Sequence, residues 1–207
     1  MASTKEHTMK IGFIGAGDIA QALAVQFTRT GHEVVMSNSR GPASLAEIAR
    51  RLGAKASAGT RADAAQAELL VLAVPWQHLE AATADLPALR DRIVIDTMNP
   101  VMQPGFRLAD LGALTSSEVL ARHVPGARVV KIANTLTPAV LGADPHVAGG
   151  RRVLFMSGDD APSKSQVARL FETMGFAVID LGTLAAGGRM QQFPGGPLPA
   201  QNLVKLG

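Results

Sequence analysis

Two residue types are absent from the 207-residue chain, cysteine and tyrosine. Without cysteine there can be no disulfide, no thiolate nucleophile and no cysteine-ligated metal. Without tyrosine, no Tyr/Lys pair can supply the proton that some reductases need. His7, His123 and His146 have no metal-ligand spacing with one another, so no metal site is expected.

Long apolar runs and clusters of a single charge are also missing. No stretch reaches the roughly 18 apolar residues that a membrane-spanning helix needs. The net charge is only +3 and the basic residues are scattered, so neither nucleic acid nor a membrane is an expected partner. Residues 1–8 are a polar leader without an apolar signal core, which favours a cytoplasmic location. With 47% hydrophobic residues, the composition is that of a globular protein.

The most informative stretch is a glycine-rich turn near the start. An apolar run leads into Gly15-Ala16-Gly17-Asp18-Ile19-Ala20, the pattern G-x-G-x-x-A between a predicted strand and a predicted helix. Gly15 permits the tight turn, Gly17 leaves room for a pyrophosphate, and Ala20 allows close helix packing. The free N–H groups of the helix start favour phosphate binding. Candidate cofactor-binding residues here are Gly15, Ala16, Gly17, Asp18 and Ile19.

Strand and helix patterns alternate along most of the chain. The run Leu69–Val74 is continuously apolar, which is typical of a strand covered on both faces in a parallel sheet. The predicted fold is α/β, a Rossmann-type doubly wound, mostly parallel sheet covering residues 9–181. Residues 182–207 are rich in glycine and proline and predict a short irregular extension. This tail either closes the substrate side or contacts a second subunit.

The end of the second predicted strand indicates which dinucleotide is bound. An NAD site places Asp or Glu there to bind the ribose 2′-hydroxyl. This chain instead has Ser37-Asn38-Ser39-Arg40, without an acid. Arg40 can pair with a 2′-phosphate, and the Ser37 and Ser39 hydroxyls and backbone N–H groups can bond its oxygens. The predicted cofactor is therefore NADP(H), with Ser37, Asn38, Ser39 and Arg40 as candidates.

Other strand ends should lie at the same edge of the sheet, where ligands of open α/β sheets bind. Pro75 and Trp76 could shape a slot for ribose and nicotinamide, and Asn99 and Asn134 could bond the carboxamide or orient a substrate. His78 is the best polar candidate for catalysis, although it could equally cap a helix or pack beside Trp76. The strand-end candidates are Ala73, Val74, Pro75, Trp76, His78, Asn99 and Asn134.

Several further residues have structural interpretations. Thr115 and Glu118 have capping-box spacing and open a predicted helix. Lys131, on a predicted strand, could face the cleft and act on a carbonyl, but a surface-facing position is the favoured interpretation.

Asp159 and Asp160 precede Pro162 at the start of a predicted helix, where the helix dipole stabilises a carboxylate. Helix capping is therefore the favoured role of both residues. Met190 and Phe193 in the tail could line an acceptor pocket, but burial in the core is the favoured interpretation.

Taken together, these motifs make the chain similar to the NADPH-dependent deazaflavin-coenzyme (coenzyme F420) reductases and their bacterial relatives. The resemblance covers most of the chain, except that Gly187–Pro194 departs from the family's pattern. The matching segments are Ile14–Gly17, Gly31–Val35, Ser39-Arg40, Val74–His78, Gly158–Asp160 with Ser163-Lys164, and Asp180–Gly182.

The resemblance implies a homodimeric NADP(H)-dependent oxidoreductase that passes hydride to a ring stacked on the nicotinamide. The acceptor would be a small molecule such as a deazaflavin or flavin. Hydride transfer between rings needs alignment and water exclusion more than acid–base groups. Two alternatives stay open: a carbonyl or imine reductase, disfavoured because only a short tail follows the dinucleotide domain, and a non-catalytic NADPH-sensing protein.

Overall fold

A computed structural model of the chain describes residues 8–207, so all but the last residue of the predicted leader lie outside it. Within this range no helix is long and apolar enough to cross a membrane. The strands are β1 Lys10–Ile14, β2 Glu33–Ser37, β3 Ala56–Ala58, β4 Leu69–Leu72, β5 Ile93–Asp96, β6 Val101–Met102, β7 Arg107–Leu108, β8 Arg128–Ile132, β9 His146–Val147, β10 Gly150–Gly158, β11 Ala177–Asp180 and β12 Val204–Leu206. The helices are α1 Asp18–Arg29, α2 Ala46–Leu52, α3 Arg61–Ala65, α4 Leu79–Thr83, α5 Ser116–His123, α6 Pro138–Gly142, α7 Ala161–Thr173 and α8 Leu184–Gln191, with 3₁₀ turns at Pro42–Leu45 and Trp76–His78.

The main sheet has the strand order β11-β10-β8-β5-β4-β1-β2-β3. Strands β3 to β8 along this order are parallel, whereas β10 runs antiparallel to β8 and parallel to β11. The chain order reverses between β1 and β4, and such switch points are where α/β sheets bind ligands. The predicted Rossmann-type, mostly parallel fold is confirmed.

Both faces of the central strands are buried, which explains their continuous apolar sequences. In β4, Leu69 and Val71 join one hydrophobic cluster, while Leu70 and Leu72 join the cluster on the opposite face. Fully burying one such side chain contributes roughly 1.5–3 kcal/mol. The covering helices therefore fix the sheet, and with it the edge where the strands end.

Side chains cap the starts of α3, α5, α7 and α8. The predicted capping box of α5 is confirmed, because the Thr115 hydroxyl accepts the Glu118 N–H and the Glu118 carboxylate accepts the Thr115 N–H. Asp160 caps α7, where hydrogen bonds from the Ser163 side chain and backbone lower its pKa. Asp159 instead accepts the N–H of Leu184, 2.9 Å away, at the start of α8.

The tail is more ordered than its composition predicts. Residues 184–191 form α8, and β12 pairs antiparallel with β10. Gln191 at the end of α8 is fully buried and donates from its side-chain amide to the Phe155 carbonyl at 2.9 Å. The tail is ordered by pairing with β10, which is distant in the sequence. The hydrophobic periodicity of a short segment cannot reveal such contacts.

The interpretation of Lys131 as a surface residue is wrong. Lys131 and Asp96 face each other across the β5–β8 ladder, and both side chains are fully buried. The Lys131 Nζ lies 3.1 Å from an Asp96 oxygen and donates to the Met98 carbonyl at 2.8 Å. Asp96 also accepts the Ser117 hydroxyl at 2.6 Å and the Met98 N–H at 2.8 Å. This cluster fixes the segment that follows β5.

We expect Lys131→Met to destabilise the protein by about 3–5 kcal/mol, because it leaves the Asp96 carboxylate buried without its cation. The double variant Lys131→Met/Asp96→Asn should recover part of that loss. Urea unfolding of each variant measures the change. A matched control is Asp91→Asn, which breaks the exposed Asp91–Arg128 pair and should cost under about 1 kcal/mol. Equal losses at the two pairs would contradict this account.

Candidate active site

The turn between β1 and α1 has the geometry of a pyrophosphate cradle. Gly15 has a φ of +104°, and a Cβ built there would lie 2.2 Å from the Ala73 carbonyl oxygen. Glycine is therefore required both by the turn and by its contact with the end of β4. Gly17 differs, because its backbone is extended and a Cβ built there meets nothing within 4 Å. The open space in front of Gly17 suits a group that approaches the backbone closely.

The first turn of α1 fits a bound anion. Gly17 is the N-cap residue, and no side chain caps the helix. Its leading N–H groups therefore face the open space with the positive end of the helix dipole behind them. The next candidate segment, Ser37–Arg40, lies beside this turn, because the Gly15 N–H donates to the Ser37 carbonyl at 3.0 Å.

Four residues follow this contact at the end of β2, and they differ in accessibility. Ser37 is fully buried and donates its hydroxyl to the Phe13 carbonyl at 2.6 Å, so the predicted contact of that hydroxyl with a 2′-phosphate does not fit the structure. Asn38 accepts the Arg40 N–H at 2.9 Å and so fixes the turn. Ser39 and Arg40 are exposed. Within residues 8–207, no hydrogen bond or ion pair engages the Arg40 guanidinium.

A cavity of about 700 Å³ opens beyond the carboxyl ends of β1, β4, β5 and β8. It begins at the start of α1 and extends to a mouth formed by the β6–β7 hairpin and the tail. Of the predicted residues, those that line it are Gly17, Asp18, Ile19, Ala73, Val74, Pro75, Trp76, Asn99 and Asn134. Lining residues without a predicted role are Thr97, Met98, Val101, Gln103, Phe106, Thr135, Leu136, Thr137, Pro138, Pro199 and Ala200.

Asn99 and Asn134 are hydrogen-bonded to each other at the floor of the cavity. The Asn99 side chain donates to the Asn134 carbonyl at 2.9 Å, and the Asn134 side chain donates to the Asn99 Oδ1 at 2.8 Å. Gln191, which had no predicted role, donates to the Asn134 Oδ1 at 3.1 Å, and its carbonyl accepts from the Asn134 side chain at 2.8 Å. The tail helix thus helps to position the cavity floor.

Three other residues with predicted roles occupy unexpected places. His78 is exposed and is not among the lining residues of the cavity, and its side chain does not cap α4. Phe193 is 39% exposed and lines the cavity mouth, so the interpretation of this residue as core is wrong. Met190, at 40% exposed, is likewise not core. Trp76 is largely buried at the cavity wall.

Comparisons with known proteins indicate the family of this chain. Residues 10–100 match the family described as coenzyme F420-dependent NADP oxidoreductase. A structure from Arthrobacter sp. FB24, described as a candidate F420-dependent NADP reductase, is 30% identical, covers 88% of this chain and 90% of its own, and gives a TM-score of 0.78. A hypothetical protein from Sinorhizobium meliloti is 44% identical over 98% of both chains, with a TM-score of 0.89.

A longer relative is the metalloreductase STEAP3 of Rattus norvegicus, which is 27% identical over 207 residues. The alignment takes in all of this chain and 40% of that protein's length. The chain therefore spans less than half of this curated relative.

The fold and the glycine turn are those of a Rossmann-type dinucleotide-binding domain, and the family match makes the chain an oxidoreductase whose cofactor is NADP(H). More specifically, the chain belongs to the coenzyme F420-dependent NADP oxidoreductase family. The predicted family and cofactor are confirmed, while the roles of individual residues stay predictions.

Gly17→Ser should separate cofactor binding from folding. Serine is a favoured N-cap, so the variant without cofactor should be as stable as the parent or slightly more stable. Its side chain would occupy the space in front of α1 and compete for the helix N–H groups. NADPH affinity should therefore fall by at least about tenfold, or roughly 1.4 kcal/mol. Thermal unfolding without cofactor and calorimetric titration measure the two effects. Unchanged affinity would rule out a pyrophosphate at this turn.

Proposed function

We propose that this protein is an NADP(H)-dependent oxidoreductase that transfers hydride between NADPH and a ring-type acceptor stacked on the nicotinamide. Deazaflavins and flavins are the acceptors proposed. The observation that carries the proposal is the continuity of one cavity, from the uncapped start of α1 to a mouth bordered by Phe106 and Phe193. A dinucleotide and an acceptor ring can occupy the two parts of such a cavity in contact.

Each part of the cavity has a task in this proposal. The N–H groups that start α1 bind the pyrophosphate, and Arg40 with Ser39 binds the 2′-phosphate. Pro75 and Trp76 bound the slot for ribose and nicotinamide. Bound NADPH supplies the hydride itself, so the protein contributes alignment of the two rings and exclusion of water.

The lining of the cavity disfavours the carbonyl or imine reductase alternative. Among the described residues that line it, Asp18 at the start of α1 is the only titratable side chain. Reduction of a carbonyl needs a proton donor beside the developing oxyanion, and among the described lining residues at the mouth none is titratable. Hydride transfer between two conjugated rings does not share this requirement.

Three finer points are part of the proposal. A ferric chelate is the second candidate acceptor, favoured by the likeness to a metalloreductase over part of that protein's length. A homodimer is proposed on the strength of the family resemblance. A cytoplasmic location is proposed from the composition. A non-catalytic NADPH-sensing role is the remaining alternative, and turnover distinguishes it.

We expect Arg40→Ala to weaken NADPH binding by about tenfold to a hundredfold, since charge-assisted hydrogen bonds to the 2′-phosphate are lost. NADH, which has no 2′-phosphate, should bind with less than about twofold change. Titration with each dinucleotide measures the ratio of the NADPH and NADH affinities. Arg50→Ala, an exposed arginine on α2, is the matched control and should change neither affinity. Equal weakening of NADPH and NADH would refute the role of Arg40.

The proposed activity predicts that metal-free protein oxidises NADPH when a ring acceptor is added. Absorbance at the nicotinamide band follows the reaction with a 5-deazaflavin, a flavin, a quinone and a ferric chelate in parallel. NADPH should be consumed far faster than NADH at equal concentration. Tight NADPH binding without turnover on any acceptor would favour the sensing role instead.

A further inference from the structure

Gln191, at the end of α8, connects the tail to the floor of the cavity. We propose that Gln191 is a positioning residue, which through Asn134 holds the Asn99 side chain in the orientation that binds the carboxamide of the nicotinamide. Asn99 is then the residue that contacts the cofactor, whereas Asn134 and Gln191 act through it. The inference rests on the proposed function, because that function places the nicotinamide at this part of the cavity.

The side-chain amide of Gln191 is held in one orientation. Gln191 is fully buried, and its Oε1 accepts the Ser157 hydroxyl at 2.7 Å. Its Nε2 donates to the Phe155 carbonyl at 2.9 Å and to the Asn134 Oδ1 at 3.1 Å. A carbonyl can only accept, so exchanging the amide oxygen and nitrogen of Gln191 would lose the bond to Phe155. Gln191 therefore presents an N–H to Asn134.

Asn134 transmits this orientation to Asn99, because both of its amide hydrogens are engaged. Its Nδ2 donates to the Asn99 Oδ1 and to the backbone carbonyl of Gln191, each at 2.8 Å. Its Oδ1 accepts the N–H of the Gln191 side chain. Asn134 therefore has no amide hydrogen left for a ligand, although it lines the cavity.

Asn99 is half-buried, lines the cavity and keeps unused hydrogen-bonding capacity. Its Nδ2 donates to the Asn134 carbonyl at 2.9 Å, and its Oδ1 accepts from the Asn134 Nδ2. A side-chain amide has two N–H donors and an oxygen that accepts two hydrogen bonds. Among the described contacts, one donor and one acceptor of Asn99 are thus left over. A primary carboxamide offers the complementary pair, an amide N–H and a carbonyl oxygen.

Helix α8 is held firmly against the sheet, which fixes the position of Gln191. At its start, the Leu184 carbonyl accepts the Thr115 hydroxyl at 3.1 Å. At its middle, a Cβ built on Gly187 would lie 2.6 Å from the Ser157 Cβ, so the helix packs directly on β10. The tail helix as a whole therefore sets where the Gln191 amide meets the cavity floor.

Titration with NADPH and with 2′-phospho-ADP-ribose, the part of the cofactor that lacks nicotinamide, tests the inference. Asn99→Ala should weaken NADPH binding by about fivefold to thirtyfold and change binding of the fragment by less than about twofold. Gln191→Met removes the N–H that orients Asn134 and should give the same selective loss, of about threefold to tenfold. In the Asn99→Ala background, Gln191→Met should weaken NADPH by less than about a further twofold, because it acts through Asn99.

Gln26→Met is the matched control. Gln26 is also buried, and its side chain donates to the Leu141 carbonyl at 2.9 Å and to the Ala143 carbonyl at 2.7 Å. Neither of those residues lines the cavity. Gln26→Met should lower the thermal stability much as Gln191→Met does, yet change neither affinity. Equal weakening of NADPH and the fragment by Gln191→Met, or additive losses in the double variant, would overturn the inference.

Asn134→Ala interrupts the same connection without altering α8, and it keeps the inference testable if Gln191→Met does not fold. It should also weaken NADPH selectively, and an unchanged ratio of the two affinities would overturn the inference. These titrations need no acceptor. If the parent protein oxidises NADPH with a ring acceptor but no variant shows the selective loss, this inference alone fails. If the selective loss appears without turnover on any acceptor, only the proposed hydride transfer fails.

Discussion

The structure depends on the close approach of β1 and β4 at the glycine turn. Gly15 leaves no room for a side chain against the Ala73 carbonyl, so the ends of these two strands meet. This contact directs α1 away from the sheet with its first N–H groups uncapped. The proposed pyrophosphate site, the proposed 2′-phosphate position beside β2 and the start of the cavity all follow from that one geometry.

Beyond the turn, buried polar groups rather than apolar packing shape the cavity floor. Lys131 and Asp96 hold the backbone at Met98 through its carbonyl and its N–H. Asn99 then bonds to Asn134, which in turn bonds to Gln191 of the tail helix. Removing one member of such a network would leave the others buried without a hydrogen-bond partner. We therefore expect the cavity floor to be rigid. The mouth, in contrast, is apolar and exposed.

The sequence predicted those features that arise from neighbouring residues. The glycine turn, the Thr115–Glu118 capping box and the continuously apolar strands depend on short-range geometry. The prediction that Lys131 faces the surface is wrong because its partner Asp96 is 35 positions away in the sequence. The two residues meet only when β5 and β8 pair. Phe106 lies in a short hairpin without periodicity. Likewise, the burial of Gln191 reflects contacts with β10 that no local pattern encodes.

Following the transferred hydrogen itself tests the central claim most directly. The experiment uses NADPH deuterated at one face of nicotinamide C4, with a 5-deazariboflavin acceptor whose C5 retains the hydrogen it receives. If the two rings stack in this cavity, deuterium from a single face should appear in the reduced acceptor, as measured by mass spectrometry. The measurement is repeated with NADPH deuterated at the opposite face. Deuterium that stays in the cofactor with both labels, or an acceptor reduced only with solvent hydrogen, would contradict direct hydride transfer.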